Sequence, residues 1–294
     1  MTTPYVIGIG NAVMDVIAPT DEARLGALGV TKGIMQLIER DRSEYLMAAQ
    51  ADDHGPGRAQ ARLVPGGSVA NTLAGIGALG LKTAFIGRVA EDALGLSYAE
   101  QTEAAGTVFV NPPVAGDALP TSRSIILVTP DGERSMNTYL GISAELGPDD
   151  VNPSVFQGAG WLFLEGYLFD KPKGKEAFLK AADCCHKAGG QAGIALSDPF
   201  CVDRHRADFR RLVKELDFVI GNEQEWTSLY ETDDLGAALE QAASESGLIV
   251  CTRSGKDVVL VKGDEEAVVP VDFVTPVDAT GAGDQPSTSK ASSV

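Results

Sequence analysis

Residues 278–284 of this 294-residue chain combine a run of small residues with carboxylates, in the order Asp-Ala-Thr-Gly-Ala-Gly-Asp. The small side chains of Gly281, Ala282 and Gly283 allow backbone N–H groups to face an anion. At the start of a helix, such N–H groups and the helix dipole stabilise a phosphate or a developing negative charge. Asp284 stands beside them and could accept a proton from an attacking alcohol. A surface turn capped by an aspartate is the alternative, since glycine-rich turns are common.

Four stretches upstream also place glycines or turn residues beside polar side chains. In chain order they are residues 8–15 (Gly-Ile-Gly-Asn-Ala-Val-Met-Asp), 65–71 (Pro-Gly-Gly-Ser-Val-Ala-Asn), 222–225 (Asn-Glu-Gln-Glu) and 252–255 (Thr-Arg-Ser-Gly). Asn222 and Glu225 come directly after a predicted strand, and ligands of open α/β sheets bind at the carboxyl ends of strands.

Two other glycine patterns do not complete known nucleotide-binding motifs. Residues 75–83 miss a P-loop by one residue, because Leu81 occupies the lysine position. Gly8 and Gly10 would begin a dinucleotide fingerprint, but Val13 stands in place of its third glycine. The broken fingerprint therefore disfavours a nicotinamide-dependent oxidoreductase.

Short apolar runs bounded by glycine recur and are typical of strands that are buried on both faces of a parallel sheet. They are Tyr5–Ile9 and residues 83–86, 161–164, 192–196, 218–220, 248–251 and 258–261. Helical patterns lie among them, at residues 70–79, 175–187 and 235–245. This alternation predicts an α/β fold, an open sandwich with a central, mostly parallel sheet flanked by helices.

A different pattern predicts a small antiparallel sheet that acts as a lid. Residues 121–129 and 134–140 alternate polar and apolar side chains around a turn at 130–133, which indicates a hairpin. With other short strands, the lid is drawn from about residues 13–38, 61–65 and 108–141. Residues 51–59 are predicted to be a loop, and residues 1–284 a single domain.

Composition disfavours several classes of partner. The formal net charge of −17 repels nucleic acid and anionic lipid. No apolar run approaches the roughly 20 residues that cross a bilayer, and the first residues lack a signal peptide's basic region. The four cysteines lack C-x-x-C spacing. We therefore expect a soluble, cytoplasmic protein with reduced thiols that binds neither nucleic acid nor membrane.

Taken together, the five polar stretches resemble the ordered motifs of the PfkB/ribokinase family of carbohydrate and nucleoside kinases. Residues 278–284 are similar to the family's Asp-Thr-x-Gly-Ala-Gly-Asp signature, residues 65–71 to its Gly-Gly motif, and residues 222–225 to its Asn-x-x-Glu element. The resemblance covers residues 5–284. It implies a ribokinase-like fold, ATP and Mg²⁺ as cofactors, and a small nucleoside or sugar as the phosphoryl acceptor.

The resemblance also implies a role for each matching residue. Asp284 would be the catalytic base, and Gly281, Ala282 and Gly283 the anion hole. The substrate would be bound by Asn11, Asp15, Gly66, Gly67, Ser68, Asn71 and Arg134 of the lid. The nucleotide would be bound by Asn222, Glu225, Thr252, Ser254 and Gly255, with Glu225 also holding the metal through water.

For three of these residues a structural role is the alternative. Asn71 is compatible with a turn at a helix start, Glu225 with an exposed helical carboxylate, and Arg134 with a surface arginine. Ser254 stands where the family usually has glycine.

Several stretches are most similar to adenosine kinases and their bacterial relatives. They are residues 10–15, 67–71, 133–141 and 165–167. Ser68 stands where ribokinases more often have lysine. The resemblance therefore favours phosphorylation of adenosine, with a sugar kinase of the ribokinase or fructokinase type as the alternative. Both a monomer and a homodimer through the lid are compatible with it.

Residues 285–294 are polar and offer no apolar face, so we expect a disordered or aberrant tail in place of the family's C-terminal helices. Those helices would support the anion hole. A ligand-binding kinase fold with impaired catalysis is therefore a further alternative.

We predict that Asp284→Asn lowers turnover by several orders of magnitude, because the amide cannot accept the proton of the attacking hydroxyl. Substrate binding should stay nearly unchanged. Steady-state kinetics and calorimetric binding of the alcohol would measure the two effects, and a mild loss of turnover would refute the role of Asp284 as base.

Overall fold

A computed structural model describes residues 5–51, 60–116 and 119–271 of the chain. Its strands are β1 (Tyr5–Ile9), β2 (Val13–Pro19), β3 (Met35–Leu37), β4 (Arg62–Gly66), β5 (Lys82–Ile86), β6 (Thr107–Phe109), β7 (Ser122–Val128), β8 (Arg134–Tyr139), β9 (Trp161–Glu165), β10 (Gln191–Ala195), β11 (Phe218–Asn222), β12 (Leu248–Arg253), β13 (Lys256–Lys262) and β14 (Glu265–Val269). Its α-helices are α1 (Glu22–Leu28), α2 (Arg40–Ala51), α3 (Ser68–Ala78), α4 (Ala93–Ala104), α5 (Pro172–Lys187), α6 (Pro199–Glu215), α7 (Glu223–Tyr230) and α8 (Leu235–Glu245). Short 3₁₀ turns lie at Gly141–Glu145, Pro148–Asp150, Pro153–Phe156 and Gly166–Asp170.

The main sheet has nine strands in the order β14-β13-β12-β11-β10-β9-β1-β5-β6. The seven strands from β12 to β6 pair in parallel, whereas β13 and β14 are added as antiparallel strands at one edge. The α/β sandwich expected from the sequence is therefore confirmed. The run at residues 258–261 has the apolar character of a buried parallel strand, but it pairs in an antiparallel hairpin.

Helices cover both faces of this sheet because successive side chains of a strand point to opposite faces. In β1, Ile7 and Ile9 belong to the core on one side and Val6 to the core on the other. The first core includes buried aromatic side chains from α5, α6 and α7, and the second is closed by α3 and α4. Among the described residues, no helix is both long and apolar enough to span a membrane.

The second sheet has five strands in the order β3-β8-β7-β2-β4. The hairpin of β7 and β8 is antiparallel as expected, and so is the pairing of β2 with β4. The pairings of β2 with β7 and of β3 with β8 are parallel, so the sheet is mixed. A separate small core with α1 and α2 covers one face of it.

Two sequence assignments need comment at this level. The proposed lid range 108–141 begins inside β6, which is an edge strand of the main sheet and not part of the second one. Most of the expected loop at 51–59 and the whole of the expected tail at 285–294 lie outside the described residues.

We predict that Phe178→Ala destabilises the protein by about 3–5 kcal/mol, the usual cost of truncating a fully buried phenylalanine. Phe178 is completely buried in α5, and its ring meets the edge of Phe169 with 4.8 Å between centroids. Phe200 is 75% exposed and supplies a matched control. Phe200→Ala should change the free energy of unfolding by no more than about 0.5 kcal/mol in urea denaturation. Equal effects of the two substitutions would contradict the assignment of the core.

Candidate active site

The carboxyl ends of the parallel strands bring distant parts of the sequence to one edge of the main sheet. Asn222 at the end of β11 is level with Thr252 in β12, and Glu165 at the end of β9 is level with Ala195 in β10. The chain leaves β1 at the same edge and enters the second sheet at β2. The predicted nucleotide residues Asn222 and Thr252 are therefore neighbours.

A buried carboxylate lies where the two sheets meet. Oε2 of Glu165 accepts hydrogen bonds from the backbone N of Asn11 (2.8 Å) and from its Nδ2 (3.2 Å). Oε1 accepts one from the hydroxyl of Ser68 (3.0 Å). The hydroxyl of Ser143 approaches the amide oxygen of Asn11 at 3.3 Å. Glu165, for which the sequence predicted no role, thus brings together two predicted substrate residues, Asn11 and Ser68.

The glycine pair at the end of β4 leaves the space that a second buried carboxylate fills. A Cβ atom on Gly66 would lie 2.5 Å from Oδ2 of Asp15, and one on Gly67 would lie 2.4 Å from the carbonyl oxygen of Asn11. Gly67 also has a φ of +100°, which side chains rarely tolerate. The hydroxyl of Tyr98 donates to the carbonyl of Gly66 at 2.9 Å. Gly66 therefore packs against Asp15, and Gly67 packs against the backbone of Asn11.

Burial and charge act on Tyr98 in the same direction. Burial raises the pKa of Tyr98 well above its usual value, and the negative charges of Asp15 and Glu165 raise it further. Tyr98 therefore remains protonated as the donor to the carbonyl of Gly66.

Asn222 and Glu225 form a reciprocal cap at the start of α7. Glu225 N donates to Oδ1 of Asn222 (2.9 Å), while Asn222 N donates to Oε2 of Glu225 (2.9 Å). Nδ2 of Asn222 also donates to Oε1 of Glu225 (2.6 Å). The side chain of Glu225 is buried, so the alternative of an exposed helical carboxylate is wrong. Burial raises the pKa of Glu225 to about 7, with a smaller contribution from the charge of Asp198.

Thr252, Ser254 and Gly255 lie at the turn between β12 and β13. Ser254 adopts a φ of +57°, in the left-handed region that favours glycine, which accounts for the family's usual residue there. Ser254 and Gly255 are exposed, and Thr252 is half-buried at the strand end. These residues could meet a ligand that covers this edge of the sheet.

The structure places the two remaining described candidates differently. Asn71 lies in the first turn of α3, where its backbone N donates to the carbonyl of Gly67. Arg134 lies at the far end of the second sheet, four residues before Thr138 in β8. Thr138 is level with Asp15 across the sheet, because both pair with Ser124 of β7. At about 3.4 Å per residue this is a separation of roughly 13 Å along the strand. Arg134 instead lines a cavity of about 350 Å³ with Arg62.

The predicted base Asp284 and anion hole of Gly281, Ala282 and Gly283 lie outside the described residues. Their roles remain predictions from the sequence.

Several polar residues of this site were assigned no role from the sequence. They include Glu165, Tyr98 and Ser143, and also Tyr167 and Asp198, whose side chains hydrogen bond to each other. Burial, the hydrogen bond to Asp198 and nearby negative charges raise the pKa of Tyr167. One signal was available, because Glu165 is a single acidic residue directly after a buried apolar run. Its partners were not readable, since Asn11 is 154 residues away.

The pair of sheets and the polar residues where they meet define a ribokinase-like small-molecule kinase. The family model described as "pfkB family carbohydrate kinase" matches residues 35–285, and the chain belongs to this family. It is a phosphotransferase family whose members act on an alcohol group of a sugar or nucleoside.

Several individual proteins are similar to this chain. An adenosine kinase structure from Sinorhizobium meliloti has a TM-score of 0.84 and 41% sequence identity, covering 97% of this chain and 85% of that one. A probable sugar kinase structure from Rhizobium etli CFN 42 has a TM-score of 0.84 and 40% identity, with coverages of 97% and 84%. A fructokinase from Klebsiella pneumoniae is 27% identical over 75% of this chain and 73% of its own length.

We predict that Glu165→Ala raises the KM for the phosphoryl acceptor by about tenfold or more and leaves the KM for ATP unchanged. The substitution leaves half-buried donors of Asn11 and Ser68 unpaired, at a cost of up to roughly 1–3 kcal/mol. Glu165→Gln should have a smaller effect, because its amide oxygen can still accept from Asn11 while Ser68 accepts from its NH₂ group.

Steady-state kinetics would test this prediction, with Glu176→Ala, an exposed acidic position in α5, as the control. A parallel rise of both KM values would contradict a specific effect on the acceptor side.

We predict that burial of Glu225 makes stability depend on pH. Its pKa is 4.5 when exposed and about 7 in the folded state, so the folded protein holds the proton more tightly. Stability is therefore lost as pH rises from about 4.5 to 7, by up to about 3 kcal/mol. Between about pH 5 and pH 8, the stability of Glu225→Gln relative to wild type should therefore rise by about 2–3 kcal/mol.

Urea denaturation of both proteins at the two pH values, in the presence of a chelator, would measure the difference. A difference between the two proteins that does not change with pH would refute the burial of an ionisable carboxyl at this position.

Proposed function

We propose that this kinase transfers the γ-phosphoryl group of ATP to a primary hydroxyl of adenosine, giving AMP, as in purine salvage. The observation that carries the proposal is the 41% identity to the Sinorhizobium meliloti adenosine kinase across 97% of the chain. The curated fructokinases are less similar, at 27% identity over 75% of the chain for the one from Klebsiella pneumoniae.

The acceptor would bind where the two sheets meet. Asp15 accepts hydrogen bonds and suits the vicinal hydroxyls of a ribose ring. Asn11 and Asn71 can both donate and accept, and the absence of side chains at Gly66 and Gly67 lets a sugar approach the backbone closely. The hydrogen bonds of Glu165 support this role, because they hold Asn11 and Ser68 in fixed orientations.

The reaction itself would use the Asp284 carboxylate to accept the proton of the attacking hydroxyl. The N–H groups of Gly281, Ala282 and Gly283 would stabilise the charge that develops on the phosphoryl oxygens. No intermediate on the protein is needed, because the alcohol oxygen attacks phosphorus directly and ADP leaves.

The nucleotide would cover the adjacent strand ends. Thr252, Ser254 and Gly255 would lie near its phosphates, and Asn222 would orient Glu225 through their mutual hydrogen bonds. This arrangement is supported by the register, in which Asn222 and Thr252 are level.

Glu225 fits a role in holding Mg²⁺ through water. Burial raises the pKa of its carboxylate, and the negative charge of Asp198 raises it further. A cation at this edge would stabilise the charged carboxylate and so oppose both effects. Carboxylates with retained waters are the surroundings that Mg²⁺ prefers. When bound, the ion would neutralise charge on the phosphates.

The second sheet would act as a lid that excludes water, which otherwise competes with the alcohol as acceptor. Arg134 lies about 13 Å along the strand from the row of Asp15. Both residues belong to the second sheet, so Arg134 would contact only a part of the bound substrate that lies this far from Asp15. We expect a cytoplasmic enzyme that is a monomer or a homodimer through the lid.

A sugar kinase is the second candidate function. It is favoured by the similarity to the Rhizobium etli probable sugar kinase, whose identity of 40% is almost equal to that of the adenosine kinase. A 5-dehydro-2-deoxygluconokinase from Geobacillus kaustophilus, 27% identical over 74% of this chain, also supports it.

We predict that purified protein with MgATP phosphorylates adenosine more efficiently than ribose, fructose, 2-keto-3-deoxygluconate or 5-dehydro-2-deoxygluconate. The comparison would use kcat/KM from ADP release, with the phosphorylated product identified by mass spectrometry. A mock preparation, purified in the same way from cells that do not express the protein, controls for contaminating kinases.

Turnover of a sugar without turnover of adenosine would overturn the choice of substrate. ADP release that is equal in the wild-type and Asp284→Asn proteins would overturn the assignment of the base. If no alcohol is phosphorylated while MgATP still raises the melting temperature, the chain is a ligand-binding fold with impaired catalysis.

A further inference from the structure

A cysteine, a histidine and an aspartate converge where α6 packs on the 3₁₀ turn that follows β9. One ligand atom from each of Asp170, Cys201 and His205 lies within 4.8 Å of the other two. Cys201 is fully buried, and the side chains of Asp170 and His205 are only 23% and 20% exposed. The proposed kinase reaction uses none of the three residues.

The local structure brings these side chains together in two ways. Cys201 and His205 are four residues apart in α6 and therefore lie on the same face of the helix. Asp198 caps the helix and receives a hydrogen bond from the backbone N of Cys201 at 2.7 Å. At His205 the backbone departs from helical geometry, with φ −119° and ψ 21°, and its Nε2 lies 2.7 Å from Oδ1 of Asp170.

The three donor types match the ligands of a borderline-soft divalent cation. Zn²⁺ binds thiolate sulfur at about 2.3 Å and imidazole nitrogen or carboxylate oxygen at about 2.0–2.2 Å. Tetrahedral ligands at those distances lie roughly 3.3–3.7 Å apart. Ion binding would therefore lengthen the 2.7 Å contact between Oδ1 of Asp170 and Nε2 of His205, and it would bring ligand atoms that are up to 4.8 Å apart about 1 Å closer. Mg²⁺ and Ca²⁺ prefer oxygen ligands and do not suit a site with sulfur and nitrogen.

Arg204 also contacts this cluster and must be accommodated. Its Nε and Nη2 donate to the two oxygens of Asp170 at 3.0 and 2.9 Å. A cation bonded to Oδ1 leaves Oδ2 with Arg204, and an outer hydrogen bond of this kind orients a ligating carboxylate. The thiolate and the carboxylate together balance the two charges of the cation.

We propose that Asp170, Cys201 and His205 bind a borderline-soft divalent cation such as Zn²⁺, with a fourth position open to water. Binding displaces the thiol proton of Cys201, which is released to solvent. Because Asp170 belongs to the turn and the other two ligands belong to α6, the cation joins these elements behind the edge that carries Glu165. The alternative is a hydrogen-bonded network of Asp170, Arg204 and His205 that holds the same elements without metal.

Titration of the full-length, metal-stripped protein with Co²⁺ distinguishes the two. A cobalt–thiolate bond gives a near-ultraviolet charge-transfer absorption, whereas Co²⁺ bound by oxygen ligands at a magnesium site gives none. We expect this absorption to saturate at one Co²⁺ per chain and to disappear when Zn²⁺ is added in equal amount. This absorption is measured independently of kinase activity and of the identity of the kinase substrate.

Single substitutions test which side chains bind the ion. Cys201→Ser should abolish the absorption, and His205→Ala should weaken Co²⁺ binding by more than about tenfold. Cys251→Ala, at another buried thiol in β12, is the matched control and should leave the absorption unchanged. Absence of the absorption in the wild-type protein, or its persistence in Cys201→Ser, would overturn the proposal. If Cys201→Ser fails to fold, His205→Ala binding Co²⁺ as tightly as wild type would also overturn it.

Discussion

The hydrogen bonds of Glu165 are the constraint on which the rest of the site depends. This buried carboxylate at the end of β9 binds the segment that leaves the main sheet, through Asn11, and the start of α3, through Ser68. Because the chain passes from Asn11 directly into β2, the same interaction fixes how the second sheet leaves the main one. The carboxylate accepts three hydrogen bonds, and its removal would leave those donors unpaired.

Close packing around Glu165 and Asp15 explains the glycines at positions 10, 66 and 67. A side chain on Gly10 would collide with Glu165, and one on Gly66 would collide with Asp15. Gly67 meets a backbone carbonyl, which cannot move aside as a flexible side chain could. Gly10 and Gly66 are therefore required by the protein's own buried carboxylates and Gly67 by a backbone carbonyl, in addition to any need for space around a ligand.

Negative charge is concentrated along the carboxyl ends of the strands, and it makes this edge suited to cations and hydroxyl donors. Asp15 and Glu165 raise the pKa of Tyr98, and Asp198 contributes to the raised pKa of Glu225. Such like charges in a buried setting are costly unless a cation or a donor compensates them. The proposed magnesium and substrate roles would supply that compensation, which links the charge of this edge to the chemistry of the family.

The sequence by itself determined what depends on neighbours along the chain. Alternating apolar runs and helices predicted the α/β sandwich, and the turn at 130–133 predicted the hairpin of the second sheet. The spacing of Asn222 and Glu225 matched a motif that proved to be a local helix cap. Only the tertiary structure decided the parallel pairings of the second sheet, the partners of Glu165, and the meeting of Asp170 with His205. These contacts join residues that are far apart in the chain, and their formation depends on strand order and register, which periodicity does not encode.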